Sequence, residues 1–114
     1  MKNKSDNEIV DGVKVMVILK YDIEKNLFII SGNVKKDKVK EVISNYLITQ
    51  FGAGVDDRKP AELDVYEIGI SLDLSDDSFS VAHDCGNKGL RDGILAKFLT
   101  DESTKEWEND TTDE

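Results

Sequence analysis

Hydrophobic and polar positions recur along this chain in two sets about 52 positions apart. Leu27 and Ile29 match Phe79 and Val81, Met16 and Ile18 match Ile68 and Ile70, and Val42, Ile43, Tyr46 and Leu47 match Ile94, Leu95, Phe98 and Leu99. Each set reads as strand, strand, helix. The likeness lies in the apolar pattern and hardly at all in residue identity, so it speaks for architecture.

Within the first set, Val13 to Tyr21 is rich in β-branched and aliphatic residues and predicts a strand. Asp22 to Asn26 supplies a turn, and Leu27 to Ile30 a second strand. Ser31, Gly32 and Asn33 close it, with Asn33 placed to cap a helix over Val34 to Phe51. Val39, Val42, Ile43, Tyr46, Leu47 and Phe51 fall on one stripe of that helix, and Gly52 is a natural stop. Ala53 to Glu62, with the only proline, predicts a loop. In the second set, Tyr66, Ile68, Ile70, Leu72 and Leu74 alternate with Glu67, Gly69, Ser71 and Asp73, the pattern of a strand with one dry and one wet face. Ser75 to Ser78 turns the chain, Phe79 to His83 returns it, and Leu90 to Leu99 forms the second helix. Gly93 inside that helix is expected to permit close packing against a neighbour.

Two amphipathic helices need an apolar surface to lie on. The expected fold is therefore α+β: a two-layer sandwich of a four-stranded antiparallel sheet with two helices on one face, in β-β-α-β-β-α order. Residues 1–11 read as a flexible arm, 12–100 as a single domain, and 101–114 as an acidic, disordered tail that is apolar only at Trp107.

The first hairpin is apolar on both faces. If the repeat sets its phase, Met16, Ile18, Leu27 and Ile29 face the helices, and Val13, Val15, Val17, Leu19, Phe28 and Ile30 point outward. A shift of one residue swaps the two sets and still leaves an apolar outer face. Such a face asks for a cover: the arm, the tail, a second copy in a homodimer, or a different protein. The outward set together with Trp107 is the expected protein interface.

Charge changes this picture in one respect. The formal net charge is −9, and the tail from Asp101 carries −6 of it, because seven acidic residues there face Lys105 alone. The remaining −3 is spread over residues 1–100. Direct nucleic-acid binding by a broad basic surface is disfavoured. Trp107 among carboxylates reads as a motif in which the aromatic anchors and the charges speed encounter. No apolar run approaches a bilayer span and no secretory leader is evident, so a cytoplasmic protein that does not enter a membrane is expected. A lone cysteine, Cys85, agrees with that compartment.

Candidate chemistry is sparse. His83 and Cys85, the only residues of their types, flank a glycine-bearing connection, Asp84, Gly86, Asn87, Lys88 and Gly89, that opens the second helix. Backbone N–H groups at such a start attract anions, and Lys88 would add charge, so this loop is the alternative site, for an anion or nucleotide. No phosphate-loop or dinucleotide fingerprint supports it. A Cys–His nucleophile is conceivable, yet a small buried thiol is the commoner fate of a lone cysteine, and no catalytic residue is assigned. One His and one Cys do not make a zinc site, and Asp73, Asp76 and Asp77 lack calcium-loop spacing, so no metal and no cofactor are expected. The Asp56, Asp57, Arg58, Lys59 loop and the lysines at 35, 36, 38 and 40 read as solvated surface. The expected function is non-enzymatic: a small acidic interaction or inhibitor module that blocks a protein partner. Immunity proteins and phage counter-defence proteins share this compositional profile.

Overall fold

The computed structural model describes residues 14–50, 56–100 and 103–108. The elements follow in the order β1 (Lys14–Asp22), β2 (Leu27–Gly32), α1 (Lys36–Thr49), β3 (Val65–Asp73), β4 (Ser78–His83), α2 (Lys88–Phe98) and β5 (Thr104–Trp107). The strands form one sheet in the order β4-β3-β1-β2-β5. The two hairpins and the central β1–β3 pair are antiparallel, whereas β5 runs parallel to β2. The α+β class holds, and the β-β-α-β-β-α order holds for the first six elements, with β5 added after them. The expected four-stranded antiparallel sheet is corrected to a mixed sheet of five strands, because Thr104–Trp107, expected in a disordered tail, pairs with the β2 edge.

The repeat is real in the fold, but its offset is 51 through the hairpins and 52 through the helices. The first strand of each hairpin ends on an aspartate, Asp22 or Asp73, and the chain turns through four residues, with Asn26 (φ 50°) or Asp77 (φ 58°) in the left-handed region that these residue types tolerate. Three residues join β2 to α1 and four join β4 to α2, which supplies the extra position. In the β1–β3 register Ile18 lies opposite Gly69, its own repeat mate. A local two-fold thus passes through that pair.

This single-residue difference reverses the expected faces. Val17, Leu19, Phe28 and Ile30, expected outward, are 0%, 1%, 0% and 2% exposed, and Val15 packs against the same core. Met16, Ile18, Leu27 and Ile29 instead lie on the face away from the helices. Val13, Phe51 and Gly52 lie outside the described residues. The helices align at 52, while the strands align at 51, and period-2 alternation turns one residue into the opposite side.

The core joins that strand set to Tyr66, Ile68 and Ile70 of β3, to Val39, Val42, Ile43 and Tyr46 of α1, and to Cys85, Ile94, Leu95 and Phe98. Phe28 stacks on Tyr21 at 4.4 Å between ring centroids and meets Phe98 edge-on at 5.2 Å. Trp107, expected as a free motif, packs edge-on to Phe98 at 6.4 Å. Asn33 does not cap α1. Its side chain bridges to β1, donating to the Lys14 carbonyl and accepting from the Met16 N–H, both at 2.8 Å, and Lys35 holds the cap position with no side-chain bond. Gly32 is needed here, since a Cβ would fall 2.1 Å from the Met16 carbonyl oxygen. Gly93 is exposed with no atom near its missing side chain, so it serves no close packing.

Candidate functional site

Because both helices pack on one side, the other side of the sheet is open among the described residues. Its two halves differ. The first hairpin presents Met16, Ile18, Lys20, Leu27 and Ile29, and Met16 is 42% exposed. Their repeat mates on the second hairpin are Glu67, Gly69, Ser71, Ser78 and Ser80, all small or polar. Where these halves meet, an open groove of about 500 Å3 runs over Gly69, Ser71, Ser80 and Ala82. Met16 and Ile18 wall one side, Glu67 and Asp84 lie at one end, and Val81 and His83 of the β4 edge border the other side. Gly69 makes the groove: on the other half of the two-fold, Ile18 fills the same place.

The loop at the start of α2 has a different character. Asn87 caps the helix, its Oδ1 accepting from the Leu90 N–H at 3.0 Å, while its Nδ2 donates to the carbonyls of Asp56 (3.0 Å) and Arg58 (2.6 Å). The Asp56 carboxylate accepts from the Lys88 N–H at 2.7 Å and from the Arg58 guanidinium at 2.6 and 2.9 Å. Those bonds from Arg58 and Lys88 hold the Asp56 carboxyl well below the usual carboxylate range. The anion at this helix start is therefore one the chain supplies, and it takes the Lys88 amide that the alternative reading offers to a ligand. Gly86 (φ +76°) lies against the 59–61 backbone, and the Cys85 carbonyl accepts from Ala61 at 2.8 Å. Cys85, Gly86, Asn87 and Lys88 thus stitch the 56–61 loop to the helix, while Asp84 bonds the Glu67 backbone of β3 and Gly89 does not touch the loop.

Cys85 is fully buried, and burial pushes its thiol up to about 11, so it is neutral at ordinary pH. His83 accepts the Cys85 N–H at Nδ1 (3.1 Å), and its burial, with the charges of Arg91 and Arg58, holds the imidazole below its ordinary value. This arrangement packs the two residues; it does not activate a thiolate. Asp73 and Asp76 each bond their own turn, to Ser75 and Ser78. Among the described residues no group of three or more His, Cys, Asp or Glu side chains is placed to hold a metal ion. No described helix is long and apolar enough to cross a membrane.

Sequence reasoning missed two features. One is the groove, whose signal is Gly69 set against Ile18 once the 51-residue offset is known. The other is Arg91, 4% exposed at the α2 position that matches Val39. Its Nε donates to Asp92 at 2.8 Å and its Cζ lies 5.5 Å from the Tyr46 ring centroid, while Nη2 and the Tyr46 hydroxyl have no hydrogen-bond partner among the described residues. Burial raises the Tyr46 hydroxyl, partly offset by Arg91. A charge interrupting an apolar stripe was the available signal. No protein-family model, curated protein or solved structure matches this chain.

Proposed function

We propose that the protein is a non-enzymatic interaction module that binds a protein partner, and thereby blocks it, through the open face of its sheet. The observation that carries this reading is the pairing of an apolar stripe, Met16, Ile18, Leu27 and Ile29, with a groove floored by Gly69, on a face that no described segment covers. Aliphatic side chains on a one-sided sheet are normally dry, and a stripe beside a groove offers a partner both apolar area and shape. The acidic sequence beyond Asp101 adds long-range attraction for a basic partner.

The test places a photo-crosslinking residue at Ile29, on the open face, or at Ile48, which is 69% exposed on α1. Expressed in cells, the Ile29 probe should yield a discrete protein adduct that the Ile48 probe does not, and Met16→Lys should diminish it. Equal labelling from both positions, or none, sinks the reading. An adduct of twice the chain mass identifies the partner as a second copy.

A further inference from the structure

The two edges of the sheet are related by the same local two-fold, and among the described residues only one is covered. On the first edge β5 lies parallel to β2, placing Lys105 beside Phe28 and Trp107 beside Ile30. Lys105 Nζ sits 5.3 Å from the Phe98 ring centroid, and the Trp107 ring caps the end of the core. Phe28 and Ile30 are consequently sealed, at 0% and 2% exposure. Their repeat mates on β4 are Phe79 and Val81, which remain half-buried because no described segment pairs with the outer edge of β4.

That edge also lacks the usual protections. Ser78–His83 carries no acidic or lysine side chain and no proline, and every member is in regular strand conformation. An unpaired row of backbone donors and acceptors on an uncharged strand is a template for another strand. Its flanks are acidic, with Asp76 and Asp77 before it and Asp84 after it, beside Glu67. Of the cations nearby, Arg58 is engaged by Asp56 and the buried Arg91 by Asp92. Antiparallel pairing of β4 with β4 of a second copy, centred on Ser80, would set Asp76 against Asp84, a like-charge contact at each end.

Resting on the reading of the chain as a protein-binding module, we propose that the open edge of β4 takes a basic, extended segment of a partner as an added parallel strand, the counterpart of β5 on β2. Carrying the β2–β5 register across by 51 positions puts the place of Lys105 beside Phe79, where an apolar side chain suits the half-buried ring, and the place of Trp107, an aromatic, beside Val81. The side chain between them lies beside Ser80, at the mouth of the groove. Lysine or arginine at either end meets the flanking aspartates.

A synthetic peptide with lysine, threonine, valine, lysine, tryptophan and lysine in that order, blocked at both ends, is the probe. Titrated into the full chain, it should slow amide hydrogen exchange in Ser78–His83 and leave β5 exchange unchanged. Exchanging its lysines for glutamates, or methylating alternate backbone nitrogens in one of the two phases, should weaken binding at least about tenfold. Ser80→Lys should do the same, whereas Ile48→Lys, on the exposed side of α1, should not. Absence of β4 protection at millimolar peptide, equal binding of the glutamate peptide, or β4 protection that precedes any peptide and vanishes on removing residues 1–13 or on dilution overturns the proposal. If the Ile29 crosslink to a partner persists in Ser80→Lys but falls in Met16→Lys, the open-face reading stands and the edge proposal alone fails; if neither change touches partner capture, both fail.

Discussion

The two hairpins of this protein share a turn, a register and a two-fold axis, yet they are built for different duties. The first is sealed on three sides: helices below, β3 on one flank of β1 and β5 on the other side of β2. Its inward residues are almost wholly buried and its outward residues, Lys20 apart, are apolar. The second has, among the described residues, a free β4 edge with half-buried Phe79 and Val81, and an outward surface of glutamate, serine, alanine and glycine. Repetition thus sets the scaffold, and the departures from it place the surface features. A groove exists because one member of a repeat pair has lost its side chain. An edge is open because one member of an edge pair has no fifth strand.

The largest way to break the comparison is in the core. Phe28→Ala removes a fully buried ring in contact with Tyr21 and Phe98 and should cost about 3–5 kcal/mol in denaturant unfolding. Phe79→Ala, its mate on the open edge, touches Tyr46 at 5.6 Å and stays half-buried, so the loss should be about half as large. Equal losses would mean that the β4 edge is covered in solution.

The helix starts give the next contrast. Asn87→Ala removes the α2 cap and two bonds to the 56–58 backbone and should cost about 2 kcal/mol. At the matching place in the first half Lys35 caps nothing, so Lys35→Asp should raise stability by about 0.5–1 kcal/mol. Thermal or denaturant melts of both variants check the pair.

Gly69→Ile restores the repeat on the open face. A Cβ there meets only the Ala82 carbonyl oxygen at 3.9 Å, so the chain has room for it. Stability should rise by up to about 1 kcal/mol from strand propensity while the groove fills. Partner crosslinking from Ile29 should fall; unaltered crosslinking would show that the groove is not used.

The smallest effect lies in the acid limb of stability. Asp56 has its carboxyl held below the ordinary range when folded, so folding is favoured wherever Asp56 is ionised. That contribution is complete above the ordinary carboxylate value and drains away as pH falls through it toward the lowered one. Asp73, lowered by its bonds from Ser75, acts in the same direction from the second hairpin turn. Asp56→Asn should flatten the decline between about pH 5 and pH 2. An unaltered slope would assign the acid limb to other carboxylates.

Much of this was legible in the chain. Element order, both hairpins, both amphipathic helices and the existence of an apolar outer face follow from local periodicity, which backbone geometry imposes wherever one side of an element is dry. What misled was the length of one connection. Four residues between β4 and α2 against three between β2 and α1 shift the strand repeat by one, and in a strand one residue is a whole face. The loop at Asp84–Gly89 was legible as a helix start but not as one already holding an anion, because Asp56 lies some thirty positions away in sequence and is brought there only by folding.

By itself, then, the sequence determined the class of fold and the order of its first six elements, since alternation, helical spacing and turn chemistry are local. The tertiary structure alone decided which apolar set was buried, because both faces of the first hairpin satisfy the same pattern and only packing against helices chooses between them. It also decided that Thr104–Trp107, polar and acidic as a segment, becomes a strand: that depends on finding the unpaired backbone of β2, and no composition of its own encodes a neighbour's free edge.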